Sequence, residues 1–178
     1  SWMWKRAKGY MDVVCYTGTG SATTVAHSLG VVPEMIWVKN RDQANGWPVY
    51  AAPIGATKYL ILNSNGTANS YAGYWNDTAP TSSVFSLKND GWVNNPTRAY
   101  VAYLFATLAG ISKVGSVAHS GSSTDVDCGF SNGARFVMLK RTDAAGDYYY
   151  WDSLRGIVAG NDPYMLLNTT AAQVTNTD

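Results

Sequence analysis

The sequence predicts an all-β protein, and three observations carry that expectation. Glu occurs once, at Glu34, against 17 Gly and frequent Val, Thr, Tyr and Trp, a balance that disfavours helix and suits strands joined by turns. Short apolar runs alternate with Gly-, Asn- and Pro-bearing turn signals along the whole chain. The second half also echoes the first. Residues 20–42 (GSATTVAHSLGVVPEMIWVKNRD) align with residues 121–143 (GSSTDVDCGFSNGARFVMLKRTD), so that Gly121 stands 101 positions after Gly20. Val25/Val126, Leu29/Phe130, Ile36/Val137, Val38/Leu139, Lys39/Lys140 and Asp42/Asp143 fall in register, as do residues 47–50 with 148–151 and Gly55 with Gly156. After a four-residue insertion, residues 60–63 (LILN) meet 165–168 (MLLN). The match preserves size and polarity with few identities, which is how core positions diverge, and it points to a modular scaffold. The expected architecture is two β-sandwich-like units in tandem, with small closed β-barrels as the alternative. Residues 1–9 read as a junction to an upstream module, 10–110 as the first unit and 111–178 as an incomplete second unit.

The elements follow in order. Residues 12–16 (DVVCY) form a short strand ended by the turn TGTG, and residues 23–27 begin a second. After Pro33, residues 35–39 (MIWVK) are apolar on both parities, which predicts a central strand covered on both faces. Asn45-Gly46 is a tight-turn signal, so residues 47–50 should return as a hairpin. Residues 58–63 (KYLILN) form another strand, and 65–78 are polar and turn-rich. Residues 84–87 with the turn Asn89-Asp90-Gly91 and Trp92-Val93 beyond make a second hairpin candidate. The long apolar run 99–111 contains Thr107 and Gly110 and reads as strand and turn or a strand pair, with 100–106 closing the first unit. Residues 136–140, 148–151 and 164–168 are the strands of the second unit, which has no counterpart of 80–85 or of 100–106. Three arrangements would cover the resulting edges and apolar face: strands from another chain, packing of unit two on unit one, or further residues of the same chain.

Composition removes several functions. Net charge is +1 and charged residues are 14% and scattered, which gives no electrostatic footprint for nucleic acid or anionic lipid. No apolar run approaches the ~18 residues of a membrane-spanning helix. Cys15 and Cys128 occupy non-equivalent repeat positions and read as unpaired, buried small residues.

Catalytic chemistry is thinly supported. His27 and His119 sit in no nucleophile–base context and read as structural filling or surface residues. The acid pairs are Asp125/Asp127, sharing one face of a strand, Asp143/Asp147, and Asp152/Asp162; a glycosidase needs such acids facing each other across a cleft. Asp125, Asp127 or the turn Gly160-Asn161-Asp162-Pro163 offer hard oxygens of the kind that calcium takes, although turn chemistry accounts for that turn without an ion. No cofactor is expected. Asn65, Asn76 and Asn168 begin Asn-x-Ser/Thr triplets that a chain so rich in Asn and Thr contains by chance. The aromatics are more informative: 12 Tyr and 7 Trp against 4 Phe favour half-wet surfaces, where one ring end is apolar and the other polar. Two groups stand out as candidate glycan or protein contacts, Tyr71, Tyr74 and Trp75, and the run Tyr148, Tyr149, Tyr150 and Trp151.

One resemblance spans nearly the whole chain. It is carried by WMWKRA (2–7) with Gly9, DVVCYTGTG (12–20), HSLGV (27–31), Pro33 with Val38-Lys39, PTSSVF (80–85), YVAYLFA (100–106), SKVGS (112–116), CGF (128–130) and GARFVMLKRT (133–142). Together these strings resemble a β-rich domain of uncharacterised role in large virion proteins of marine tailed phages, including cyanophages and pelagiphages, where it often follows a concanavalin-like lectin module. The resemblance implies a non-enzymatic structural role in the virion, as part of a tail fibre or other host-facing appendage, or as a capsid decoration. It implies other virion chains as partners and a homo-oligomer that is trimeric if fibre-like; a host surface polysaccharide is the further contact that the aromatic groups suggest. It carries no catalytic residues.

Overall fold

The computed structural model describes residues 3–119, 121, 123–157 and 162–175. Its strands are β1 (Met11–Thr17), β2 (Thr23–Ala26), β3 (Met35–Asn40), β4 (Pro48–Ala51), β5 (Lys58–Ile61), β6 (Asn69–Ser70), β7 (Val84–Leu87), β8 (Ala99–Phe105), β9 (Phe136–Lys140), β10 (Tyr148–Asp152) and β11 (Met165–Leu166). A single 3-10 turn, Ala52–Ile54, follows β4. The protein is all-β, as its composition predicts.

The centre is a six-stranded sheet in the order β1-β8-β3-β4-β5-β6, antiparallel throughout. Successive side chains on a strand point to opposite faces, and here both faces are apolar. Ile36, Val38, Tyr50, Tyr100, Ala102 and Leu104 face one layer, where Val25, Phe85 and Leu87 of the two-stranded β2-β7 sheet close over them. Trp37, Val49 and Leu60, with Met35, Tyr103 and Phe105 beside them, face the other. That second face is covered by the three-stranded sheet β11-β10-β9 of the C-terminal half, which places Tyr148 and Met138 on it. Backbone bonds tie the layers together at one edge: Ala68 N donates to Thr142 O (3.0 Å) and Gly146 N to Asn65 O (2.9 Å). The expected two tandem units are therefore three packed layers, and the second unit covers the first.

The small sheet is built like part of the large one. Met35↔Ala51, Ile36↔Tyr50 and Trp37↔Val49 in the β3–β4 ladder match Phe136↔Asp152, Val137↔Trp151 and Met138↔Tyr150 in β9–β10, each shifted by the 101 positions of the sequence alignment. Val49↔Leu60 and Pro48↔Ile61 match Tyr150↔Met165 and Tyr149↔Leu166 once the four-residue insertion is counted. Details agree as well. Lys39 Nζ donates to Asn45 O (2.7 Å) and lies over the Trp47 ring; Lys140 Nζ donates to Gly146 O (2.7 Å) and lies over the Tyr148 ring. The side-chain oxygen of Asn63 accepts from Trp47 N, and that of Asn168 accepts from Tyr148 N.

Three local expectations are corrected. The β3–β4 hairpin exists, but its connection is residues 41–47, not a two-residue Asn45-Gly46 turn, because Lys39 Nζ and the Asn40 side chain organise a wider loop. β7 pairs with β2 and not with Trp92-Val93. Asp90 turns the chain there: its side chain accepts from Trp92 N and its carbonyl from Val93 N and Asn94 N, which points Val93 into the core. Residues 124–127, the counterpart of β2, form no strand, and Val126 is 54% exposed where Val25 is 8%.

Buried amides hold the loops that close the first core. Asn94 is fully buried and satisfied: Nδ2 donates to Ser21 O (2.7 Å) and Lys88 O (3.0 Å), and Oδ1 accepts from Thr19 N (2.8 Å). Asn40, also fully buried, donates to Gly91 O and the Tyr100 hydroxyl and accepts from Asp42 N and Gln43 N. Gly18 faces the same turn so closely that a Cβ there would lie 2.1 Å from Asn95 O. Replacing Asn94 by Ala strands buried backbone partners and should destabilise the fold by about 2–3 kcal/mol. Gly18→Ala must displace a backbone carbonyl and should cost about 2 kcal/mol or more. Urea titration checks both, and a midpoint unchanged in either variant contradicts this account of the turn.

Candidate functional site

The predicted aromatic contacts divide by strand parity and loop packing. Trp75 (2% exposed) and Tyr74 (6%) belong to the first core, where Trp75 meets Tyr50 edge-on and Tyr74 meets Tyr59 edge-on. Only Tyr71 of that group is exposed, and its hydroxyl donates to Asp90 Oδ2 (2.8 Å). On β10, Tyr148 and Tyr150 point inward, 2% and 5% exposed. Tyr148, Tyr150, Tyr74 and Trp75 are thus packing residues, with no ring face left for a sugar. Their neighbours Tyr149 and Trp151 lie on the opposite side of the same strand.

Tyr149 and Trp151 form part of one outward face. The ladders put Leu139 opposite Tyr149 and Val137 opposite Trp151, with Leu166 across from Tyr149 on the other side. Tyr164 completes it, 5.2 Å from the Tyr149 ring and 6.1 Å from that of Trp151. Tyr149 and Trp151 are nearly parallel, 19° apart at 6.1 Å. Leu139 is 50% exposed and Tyr149 36%. The equivalent face of the large sheet is the first core: Val38, matching Leu139, is 0% exposed, and Tyr50, matching Trp151, is 4%. The outer face of the small sheet therefore carries the apolar residues of a core surface, and among the described residues no further sheet lies over it. Val137, Leu139, Tyr164 and Leu166 escape notice in the sequence because each is an ordinary strand residue. Reading residues 136–140 and 148–151 together at period two is the signal that finds them.

The polar candidates have structural duties. Asp12 is buried, and its carboxylate accepts from Ser28 N, Arg6 Nε and Val13 N. Burial alone would raise its pKa, but the hydrogen bonds from Ser28, Arg6 and Val13 and the Arg6 charge outweigh it, and the group lies below the usual carboxylate range. Asp152 is paired with Arg155 and caps Leu154 N (3.1 Å); Asp143 pairs with Arg141; Asp147 accepts from Asn168 Nδ2. Asp127 accepts from Gly129 N in a local turn, and Asp125 and Asp127 are both exposed on irregular backbone, so the expected shared strand face does not form. Among the described residues no three acids, His or Cys converge on a metal-sized point; of the suggested calcium turn, Gly160 and Asn161 lie outside them. His27 Nδ1 accepts from Leu29 N (3.3 Å) while Nε2 faces Thr81 O (3.1 Å), which commits both nitrogens to backbone. Cys15 shares a shallow depression with His27. It is exposed, against the expected burial, because β1 is an edge strand whose Val14 and Tyr16 point to the core instead. Both thiols are free. No helix among the described residues is long and apolar enough to cross a membrane.

An all-β fold with a half-exposed aromatic face on its three-stranded sheet defines the class of protein. The family described as Domain of unknown function (DUF7483) matches residues 5–178, and the chain belongs to that family. No curated protein and no solved structure matches it.

Two pH effects follow. Burial pushes the Tyr16, Tyr74 and Tyr148 phenols well above their ordinary range, so the native fold holds them neutral while the unfolded chain releases their protons from about pH 10. Stability should decline as pH rises above ~10. The depressed Asp12 carboxyl acts in the opposite sense: its contribution is present above about pH 4 and is lost as pH falls further. Thermal melts across pH, with Asp12→Asn flattening the acid limb, check this. The Tyr148 hydroxyl is buried with no hydrogen-bond partner among the described residues, so Tyr148→Phe should leave stability unchanged or raise it by about 1 kcal/mol. A clear loss would show that the hydroxyl has a role.

Proposed function

We propose that this protein is a non-enzymatic structural component of a tailed-phage virion, part of a tail fibre, another host-facing appendage or the capsid surface, whose second half is an assembly surface. The observation that carries the reading is the outer face of β9, β10 and β11, over which no further sheet lies among the described residues and whose counterpart in the first half is core. A contiguous apolar and aromatic face of this kind marks an interaction site. The assignment to a virion rests on the sequence resemblance, and with it come other virion chains as partners and a homo-oligomer, trimeric if fibre-like. The matching ladders support an origin of β3–β5 and β9–β11 as two copies of one unit. The acids support a non-catalytic role, since Asp12, Asp143 and Asp152 serve ion pairs and Asp127 a local turn.

A carbohydrate-binding role is the second reading, favoured by the nearly parallel rings of Tyr149 and Trp151 on that face, a geometry suited to stacking against the apolar side of sugar rings. Tyr71 is the remaining exposed member of the first aromatic group.

Light scattering coupled to size exclusion tests the first reading. The protein should associate as its concentration rises, and Trp151→Asp or Leu139→Asp should return it to monomer; a folded chain that stays monomeric throughout counts against assembly through this face. A glycan array separates the second: binding lost in Tyr149→Ala and Trp151→Ala supports it, and binding unaltered by them, or absent, removes it.

A further inference from the structure

We infer that Asn132-Gly133, in the turn that leads into β9, is a site of covalent modification that needs no enzyme: the Gly133 amide closes on the Asn132 side chain, ammonia leaves, and an aspartyl or isoaspartyl residue results. The sequence holds three Asn-Gly pairs, beginning at Asn45, Asn65 and Asn132, and the fold restrains the first two.

The chemistry is intramolecular. The main-chain nitrogen of Gly133 attacks Cγ of Asn132 and the new N–Cγ bond closes a succinimide ring. The side-chain nitrogen departs as ammonia, carrying the proton that the Gly133 amide gives up. Water then opens one or other carbonyl of the ring. One opening leaves Asp at position 132; the other leaves isoaspartate, in which the main chain runs through the former side chain. Nothing is oxidised or reduced, and water is the sole co-reactant. Glycine after Asn is the most permissive residue for this closure, because no Cβ crowds the attacking nitrogen. The rate is then decided by how readily that nitrogen and Cγ reach attacking geometry.

Asn45 is held away from it. Its Nδ2 donates to Gly91 O (3.3 Å), and its carbonyl accepts from Lys39 Nζ (2.7 Å). Gly46 is crowded as well: a Cβ there would lie 2.7 Å from Cζ3 of Trp92 and 3.1 Å from Cγ2 of Ile61. Asn65 is exposed, but its main chain is pinned. The Asn65 carbonyl accepts from Gly146 N (2.9 Å) and Lys140 Nζ (3.3 Å), and the Gly66 N–H that would attack donates to Ser64 Oγ (3.2 Å). The bond to Gly146 belongs to the seam between the two halves, so freeing Asn65 disturbs the packing of one sheet on the other.

Asn132 meets none of these restraints. It and Gly133 are both exposed. Gly133 has φ +70°, and no atom lies within 4 Å of the place a Cβ would take. Among the described residues the Asn132 side chain takes part in no hydrogen bond, and no bond of normal geometry holds the Gly133 N–H. Gly129 N on Asp127 Oδ1 (2.7 Å) and Ser153 N on Arg135 O (3.0 Å) flank the turn without entering it. Exposed chain with so few bonds opens at the lowest cost in a fold. The product matters to a chain this close to neutral: each event takes one unit from a net charge of +1, and isoaspartate lengthens the main chain by a methylene just before β9.

The test incubates the whole folded protein in mildly alkaline buffer and follows each Asn-Gly peptide by chromatography and mass spectrometry after digestion. The Asn132 peptide should exchange NH for O and split into aspartyl and isoaspartyl forms, about tenfold or more faster than the Asn45 or Asn65 peptide, with ammonia released in equal amount. In urea the three rates should converge, since the fold and not the local sequence separates them. Ser64→Ala frees the Gly66 N–H and should speed conversion at Asn65, whereas Asn132→Gln should abolish the early acidic species seen by isoelectric focusing with circular dichroism unchanged. Conversion first at Asn45 or Asn65, equal rates at all three in the folded protein, or an Asn132 that reacts only in urea would each overturn the inference.

Discussion

The double burial of β3 and β8 is the constraint on which the rest depends. A strand that is apolar on both parities cannot face water, so the sheet that contains it must have a layer on each side. On one side that layer is β2-β7 with the loop residues Trp75 and Val93. On the other it is the second half of the chain, which brings Tyr148 and Met138 onto Trp37, Val49 and Phe105. The C-terminal sheet is thus not an appendage. Without it the Trp37 face would be a large exposed apolar surface, and the hydrophobic term that dominates folding would be forfeited there.

The same constraint explains why so many polar groups are buried in an otherwise ordinary core. A layer as narrow as β2-β7 cannot close the first core alone, so loops fill the gap, and loop backbone brings unsatisfied N–H and C=O groups with it. Asn40, Asn94 and the Tyr16 and Tyr100 hydroxyls meet that demand. Tyr16 donates to Val93 O (2.6 Å), Tyr100 to Gly91 O (2.8 Å), and the two rings stack at 5.1 Å. The abundance of Tyr over Phe thereby finds a partly internal cause: Tyr16 and Tyr100 each carry an apolar ring into the core and a hydroxyl to a loop carbonyl.

Much of this was legible in the sequence, and what was not has identifiable reasons. The positions of β1, β3, β5, β8, β9 and β10 follow from apolar period and flanking turns, and β3 reads as central because Met35, Ile36, Trp37 and Val38 leave no polar face. The pairing of β7 with β2 was not legible. It joins segments some 60 residues apart, as Val25↔Phe85 shows, and nothing local records it; a nearby Asn-Asp-Gly turn suggested a hairpin with Trp92 instead. Among the aromatics, the run 148–151 announces a surface strand but not which parity is inward. That depends on which side of β10 the large sheet lies, a tertiary fact. Tyr74 and Trp75 misled for the opposite reason: a polar, turn-rich segment looks like surface, yet here it serves as the lid of a core.

The exposed face of the small sheet goes with the likeness of its ladders to those of the sheet it covers. β9, β10 and β11 match the ladders of β3, β4 and β5, and like them carry apolar residues on both parities. Packing on the large sheet satisfies one side, through Tyr148 and Met138. The other side keeps apolar and aromatic residues at Val137, Leu139, Tyr149 and Trp151, where a sheet evolved only as an outer cover would carry alternating polar residues. Val126 reinforces the point: its counterpart Val25 lies in β2 as a core residue, whereas Val126 lies outside any strand and is 54% exposed.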